Sequence, residues 1–239
     1  MLKRRIRSWC FGLIGFIGNT VAAEPVVYPL VHVQLLTDES SRPDGSESEV
    51  TQKLRQQLAA FPQLRYQIHY VSWPKALAEV TKRSDALVYK MLRTPSREDR
   101  FQWLLAGERV QMHLYSLAGE PLRQHSLEQL KSIADLRIAC PAQSAHCEML
   151  RQRGFRAAQI LEVRLTEQTS VERLLLARRV QFIAVAEEDI RRRMAQLGIA
   201  TNGYIKGPQV AELQDYLAGG PLLEPSIRQL LTQRAAQSL

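Results

Sequence analysis

From residue 31 onward, short runs of β-branched and other apolar residues alternate with stretches whose apolar positions recur every three or four residues. A half-buried strand leaves the first pattern on a sequence and an amphipathic helix the second. The apolar runs predict strands over residues 31–36, 64–71, 86–89, 110–116, 136–139, 160–164, 180–186 and 214–218. The periodic stretches between them predict helices over 49–60, 73–82, 126–133, 144–153, 171–177, 188–197 and 225–236. Strand and helix in turn imply an α/β chain with mostly parallel strands. Residues 38–48, rich in Ser, Asp, Glu and Gly, read as a polar surface loop after the first strand.

The amino terminus has a different grammar. Lys3, Arg4, Arg5 and Arg7 precede an apolar run over residues 9–18, which gives way to Val21-Ala22-Ala23. That is the three-part order of a secretory signal peptide, with cleavage expected after Ala23. The run contains three glycines and falls short of the roughly 20 apolar residues a membrane-spanning helix needs, so no permanent anchor is expected. Cys10 leaves with the signal, and the mature chain is placed in the periplasm.

Export changes the charge argument. The whole chain carries 32 basic and 24 acidic residues, a formal +8; without the signal's four basic residues, 28 remain against 24, a formal +4. The densest basic runs left, Arg178-Arg179 and Arg191-Arg192-Arg193, fall on helix edges or solvated faces with no aromatics interleaved. No nucleic-acid partner is expected. The 216 residues after the signal suffice for one large domain or two lobes of about 100 residues each. Two cysteines remain, Cys140 and Cys147. An even count in an oxidising compartment favours a disulfide, here tying the end of a strand to the first turns of the next helix. The alternatives are two buried thiols, or a metal site using His146 that is short of a fourth ligand.

Catalytic motifs are missing. There is no G-x-S-x-G, H-E-x-x-H or G-x-x-x-x-G-K-[ST], and His32, His69, His113, His125 and His146 have no partners at triad or metal spacing. The chain reads as a binding protein without cofactor or metal, not as an enzyme.

A family resemblance adds to this reading. The segment Asp85-Ala86-Leu87-Val88-Tyr89-Lys90-Met91-Leu92-Arg93-Thr94-Pro95-Ser96-Arg97-Glu98 resembles the strand-loop segment of bacterial extracellular solute-binding protein family 3, the polar amino acid type, where an Asp-Ala-apolar strand runs into Thr-x-x-Arg. Ser126-Leu127-Glu128-Gln129-Leu130 followed by Leu136-Arg137-Ile138-Ala139 is similar to that family's opening of the second lobe. Leu150 to Gly154-Phe155, Arg178-Arg179-Val180 and Tyr216-Leu217-Ala218 resemble later family positions, in the right order over most of the mature chain. The resemblance implies a periplasmic-binding-protein type II fold, an α/β architecture of two lobes joined by two hinge strands. Crossings are expected near residues 110–116 and 199–205, with lobe one formed by 24–113 and 204–239 and lobe two by 114–203. Hinge closure would trap a small solute between them.

It also implies site residues. The Arg97 guanidinium would grip a ligand carboxylate, for which its paired donors are matched. The turn Pro141-Ala142-Gln143-Ser144 would offer amide donors and the Ser144 hydroxyl from the second lobe, Ser144 serving also as a helix N-cap. Where amino-acid-binding members place a hydroxyl and an acid for the ligand ammonium, this chain has Leu92 and Ala186. A free α-ammonium should therefore bind poorly, since a buried cation needs paired oxygens. Tyr89 and Lys90 stand where the family has small residues and would reshape the pocket, whereas Trp73 is expected to start a helix and pack in lobe one. The expected partners are a small polar or anionic solute and an inner-membrane ABC permease, with the chain a monomer. A stand-alone sensor, or a lyase or dehydratase on the same fold, is the alternative.

Overall fold

The computed structural model describes residues 31–38, 49–166 and 169–235; the expected signal peptide and loop residues 39–48 lie outside them. In chain order the elements are β1 Val31–Asp38, α1 Glu49–Leu58, β2 Leu64–Val71, α2 Trp73–Lys82, β3 Ala86–Leu92, β4 Gln102–Leu117, α3 Leu127–Ser132, β5 Ile138–Pro141, α4 Ala145–Gln152, β6 Ile160–Val163, α5 Val171–Leu176, β7 Phe182–Ala186, α6 Glu187–Gln196, β8 Tyr204–Gly219 and α7 Pro225–Ala235.

The strands form one sheet in the order β2-β1-β3-β8-β4-β7-β5-β6. Parallel pairs occupy the flanks, β1 with β2 and β3, and β5 with β6 and β7. At the centre, β4 and β8 are antiparallel and pair from Gln102↔Gly219 to Leu117↔Tyr204. The sheet is thus mixed, because two long strands running in opposite directions join two parallel units. The first flank meets this pair at one end, through Leu87↔Gly219 to Leu92↔Asp215. The second meets it at the other, through Met112↔Ala186 to Tyr115↔Ile183. Between those contacts the chain is irregular: the β4–β8 register shifts between Ala106 and Arg109.

Each flank buries apolar residues on both sheet faces, because successive strand residues point opposite ways. In β3, Leu87 and Tyr89 pack with Leu54 and Leu58 of α1, while Ala86 and Val88 pack with Ala76 and Val80 of α2. In β7, Phe182 and Ala184 face the cluster holding Cys147 and Leu150 of α4, whereas Ile183 and Val185 face Leu175 of α5 and Ile190 of α6. Helix α4 ends where Gly154 takes φ +88°, a left-handed turn that costs glycine nothing, and the Phe155 amide donates back to the Leu150 carbonyl at 3.1 Å. Cys140 at the end of β5 and Cys147 in α4 are joined as a disulfide, with Cα atoms 5.4 Å apart.

Residues 197–200 follow α6, a 3-10 turn covers Thr201–Gly203, and β8 then runs from Tyr204. No helix among the described residues is long and apolar enough to cross a membrane.

Candidate functional site

A cavity of about 560 Å³ lies where the flanks face one another across the middle of β4 and β8. The first flank supplies Lys53, Trp73, Tyr89, Lys90, Leu92 and Arg97; the second supplies Pro141, Ser144, His146, Ala186, Glu188 and Asp189. Local folding places these groups. β3 ends at Leu92, and Thr94 then opens a 3-10 turn over Pro95–Arg97 whose proline sets the first helical dihedral. This turn swings Arg97 back beneath the sheet end.

Arg97 is only 6% exposed. Its Nη1 donates to the Leu92 carbonyl at 3.2 Å and its Nη2 to the Gln143 carbonyl at 3.1 Å, so it spans the two flanks. Its Cζ lies 5.6 Å from the centre of the Trp73 ring. Burial lowers its pKa, against the pull of Glu148. Among the described residues no carboxylate lies within ion-pair distance of this buried guanidinium.

Trp73 does start α2, yet its indole Nε1 also donates to the Gln143 carbonyl, at 3.1 Å. One backbone oxygen of the second flank therefore receives two donors from the first. Gln143 reaches this position with φ +59°, a left-handed conformation unusual for a side chain of its kind. The amides of the same turn are largely engaged within the flank. Ala142 N donates to the Val163 carbonyl at 2.8 Å, Gln143 N to Glu162 at 3.4 Å, and Ser144 N to the Pro141 carbonyl at 3.2 Å. Ser144 stands at the N-cap of α4 without a capping bond from its side chain; its hydroxyl donates to Cys147 Sγ at 3.9 Å, and the residue lines the cavity.

Lys90 is likewise left-handed, at φ +58°. Its Nζ lies 3.2 Å from Glu188 Oε2 on the opposite flank, and Lys53 Nζ lies 3.5 Å from the other oxygen of Glu188. Burial pushes the Glu188 carboxyl up, but Lys90 and Lys53 together outweigh it and hold the value below the usual range. A further contact between flanks is Thr94 Oγ1, which donates to Glu148 Oε2 at 2.9 Å. Tyr89 is largely buried in the first-flank core and only edges the cavity; burial, then Asp215 and Glu108, push its hydroxyl up to about 12. Leu92 and Ala186 both line the cavity with apolar surface.

Two further groups at the site have only weak signals in the sequence: Glu188, with Glu187, could stand in for the missing ammonium acceptor only if the strand end is shifted, and His146 is a lone metal-ligand candidate. Glu188 enters because β7 stops at Ala186 and α6 begins at once, turning the second helical residue toward the cavity. His146 lines the wall from the first turn of α4, with both ring nitrogens buried and neither bonded. Its only sequence signal is position, one residue before Cys147.

Neither a protein-family model nor a curated protein sequence matches this chain. Solved structures do match its fold. A histidine kinase sensor domain with similarity to periplasmic binding proteins superposes with a TM-score of 0.72 at 12% identity, over 87% of this chain and 90% of that one. EhuB in complex with hydroxyectoine gives 0.70 at 12% identity, over 86% and 82%. The arginine-, lysine-, histidine-binding protein ArtJ from Geobacillus stearothermophilus gives 0.69 at 12% identity, over 87% and 90%. The chain has the periplasmic-binding-protein type II fold, and these similar structures are binding and sensor domains.

Proposed function

We propose that this chain is a periplasmic solute-binding protein that captures a small polar, carboxylate-bearing molecule between two lobes. The buried Arg97 carries the reading. A guanidinium removed from water, hydrogen-bonded only to neutral carbonyls and compensated only in part by Glu148 and the Trp73 ring, carries a cost that an arriving anion would relieve. Its remaining donors, with the Ser144 hydroxyl across the cavity, suit a carboxylate.

The lobes of this proposal are the two flanks with their helices, and the hinge is the irregular stretch of β4 around Gly107–Gln111 beside Glu212–Gln214 of β8. Delivery to an inner-membrane ABC permease is the role we assign to the loaded protein. The likeness to a histidine kinase sensor domain supports a second reading, in which the closed lobes signal to a partner instead. Genes for a permease and ATPase beside this one, or for signalling proteins, separate the two.

The direct test is titration calorimetry of the mature protein against organic acids and amino acids, repeated with Arg97→Gln, which keeps amide donors but removes the charge. At least one carboxylate should bind, and the variant should weaken it about 10- to 100-fold, the worth of a charged hydrogen bond in a buried site. A carboxylate that binds both proteins equally would refute the assignment.

A further inference from the structure

Arg97 has a counterpart of opposite sign in the cavity, which bears on the carboxylate the site takes, granted that Arg97 holds one as proposed for its function. Asp215 of β8 lines the same cavity and is only 2% exposed. Its Oδ1 accepts from the Glu108 amide at 2.8 Å, in space left by Gly107, where a Cβ would lie 1.8 Å from that oxygen. Its Oδ2 has no hydrogen-bond partner among the described residues and is not closed off from solvent, so it opens on the cavity. The other carboxylates that line the cavity each have a lysine or arginine nitrogen within 3.5 Å. Asp215 has none among the described residues. Burial raises its pKa, against the Glu108 amide and Lys90, as it does for a carboxylate taken out of water without a paired cation.

The two charges stand on opposite sides of one strand end. Arg97 donates to the carbonyl of Leu92, the residue that pairs with Asp215 between β3 and β8, and lies on the α2 side against Trp73. Asp215 lies on the α1 side, where Glu108, whose amide it accepts, pairs with Lys53 of α1 at 3.2 Å. Tyr89, which packs with α1, is there too, its hydroxyl held protonated by burial and then by the Asp215 charge. The charges that act on Arg97 are Glu148 and Arg100, and those that act on Asp215 are Lys90, Glu108 and Glu188, so the two are separated and not paired. Around Asp215, Lys53 and Lys90 face Glu49, Glu108 and Glu188; with Asp215 that is two cations against four carboxylates, which leaves room for a third cation. Nearer Arg97, Leu92 and Ala186 offer only apolar surface, and Glu148 already accepts from Thr94 and Gln152. An ammonium brings three donors and needs oxygens to meet them. We infer that the solute is an extended ω-amino acid, its carboxylate on Arg97 and its terminal ammonium on Asp215 across the end of β3, with the Tyr89 hydroxyl as a further acceptor.

Isomers that move only the ammonium provide the test: 4-aminobutanoate, 5-aminopentanoate and 6-aminohexanoate against their 2-amino isomers and against butanoate, pentanoate and hexanoate. In calorimetric titrations of the mature protein, at least one ω-amino acid should bind about tenfold or more tightly than both its 2-amino isomer and its unsubstituted acid. Asp215→Asn keeps an acceptor for the Glu108 amide and removes the charge. It should weaken that ω-amino acid about tenfold or more while leaving the unsubstituted acid unchanged, which also shows that the variant is folded. Where the variant does not fold, the wild-type comparison decides alone. If at every length the ω-amino acid binds no more tightly than its unsubstituted acid or its 2-amino isomer, the inference is overturned and carboxylate capture by Arg97 stands. An advantage that survives Asp215→Asn overturns it equally; if no probe binds, both fall.

Discussion

His146 is a titrating group that the fold keeps neutral, and this has a measurable cost. Burial lowers its pKa from 6.5 to about 4, with Arg193 and Arg97 adding to the effect and Asp189 opposing it. Below the ordinary histidine range the unfolded chain takes up a proton that the folded chain refuses until about pH 4. Stability should therefore fall as pH drops through that window and level off beneath it, by at most about 3 kcal/mol from this group. Urea unfolding near pH 7 and near pH 4.5, compared between wild type and His146→Leu, should show a smaller loss in the variant; equal losses would mean that His146 is protonated in the folded protein. At this scale the site is only partly legible in the sequence. Arg97 stands out only through the resemblance of Thr-x-x-Arg to the family segment; on its own the run Arg97-Glu98-Asp99-Arg100 reads as a solvated helix start. Glu188 can be read only conditionally, since its place depends on whether the strand ends before position 187. In an unbroken strand it would point elsewhere. Lys90 stands out for its bulk, but its partner sits 98 residues away, and no spacing rule connects them.

Among the elements, the disulfide and the turn it encloses form one unit. Cys140 and Cys147 bracket the Pro141–Ser144 turn, and that turn presents the Gln143 carbonyl to Arg97 and Trp73. With a sequence separation of seven, loop-closure entropy alone assigns the crosslink about 2.5 kcal/mol. Replacing both cysteines with alanine should lower unfolding free energy by about that much. The same change should weaken solute binding, because the turn must then be ordered by the ligand. Unchanged affinity with reduced stability would confine the disulfide to a structural role. The flanking strands and helices can be read from the sequence because each has an apolar face against a core. The apolar pattern makes the central strands too short, at 110–116 and 214–218, against Gln102–Leu117 and Tyr204–Gly219. The reason is physical: Ala106 to Arg109 are all exposed, as are Ile205, Lys206 and Gln209, so stretches that pair across the sheet carry no alternating apolar signal.

For the molecule as a whole, several side chains of one flank reach the other. Arg97 and Trp73 reach the Gln143 carbonyl, Thr94 reaches Glu148, and Lys90 reaches Glu188. A solute shifts the balance between open and closed forms only by its differential affinity for them, so these contacts set the starting point from which it works. Single hydrogen bonds of this kind each contribute about 1 kcal/mol net, so on the proposed two-lobe reading these contacts favour the closed form. The Lys90–Glu188 contact adds a pH dependence of known sign. A carboxyl held below its usual value stabilises the paired state above the ordinary carboxylate range, and that contribution disappears as pH falls through the lowered value. Small-angle scattering of the solute-free protein at neutral pH should therefore match the closed shape, and Glu188→Gln should shift the profile toward a more extended one without acid. The variant should also lose part of the change that acidification produces in the wild-type protein. If the scattering of solute-free wild type is already that of an extended molecule and Glu188→Gln leaves it unaltered, the contacts between flanks do not govern closure, and the cavity must be closed by the solute itself.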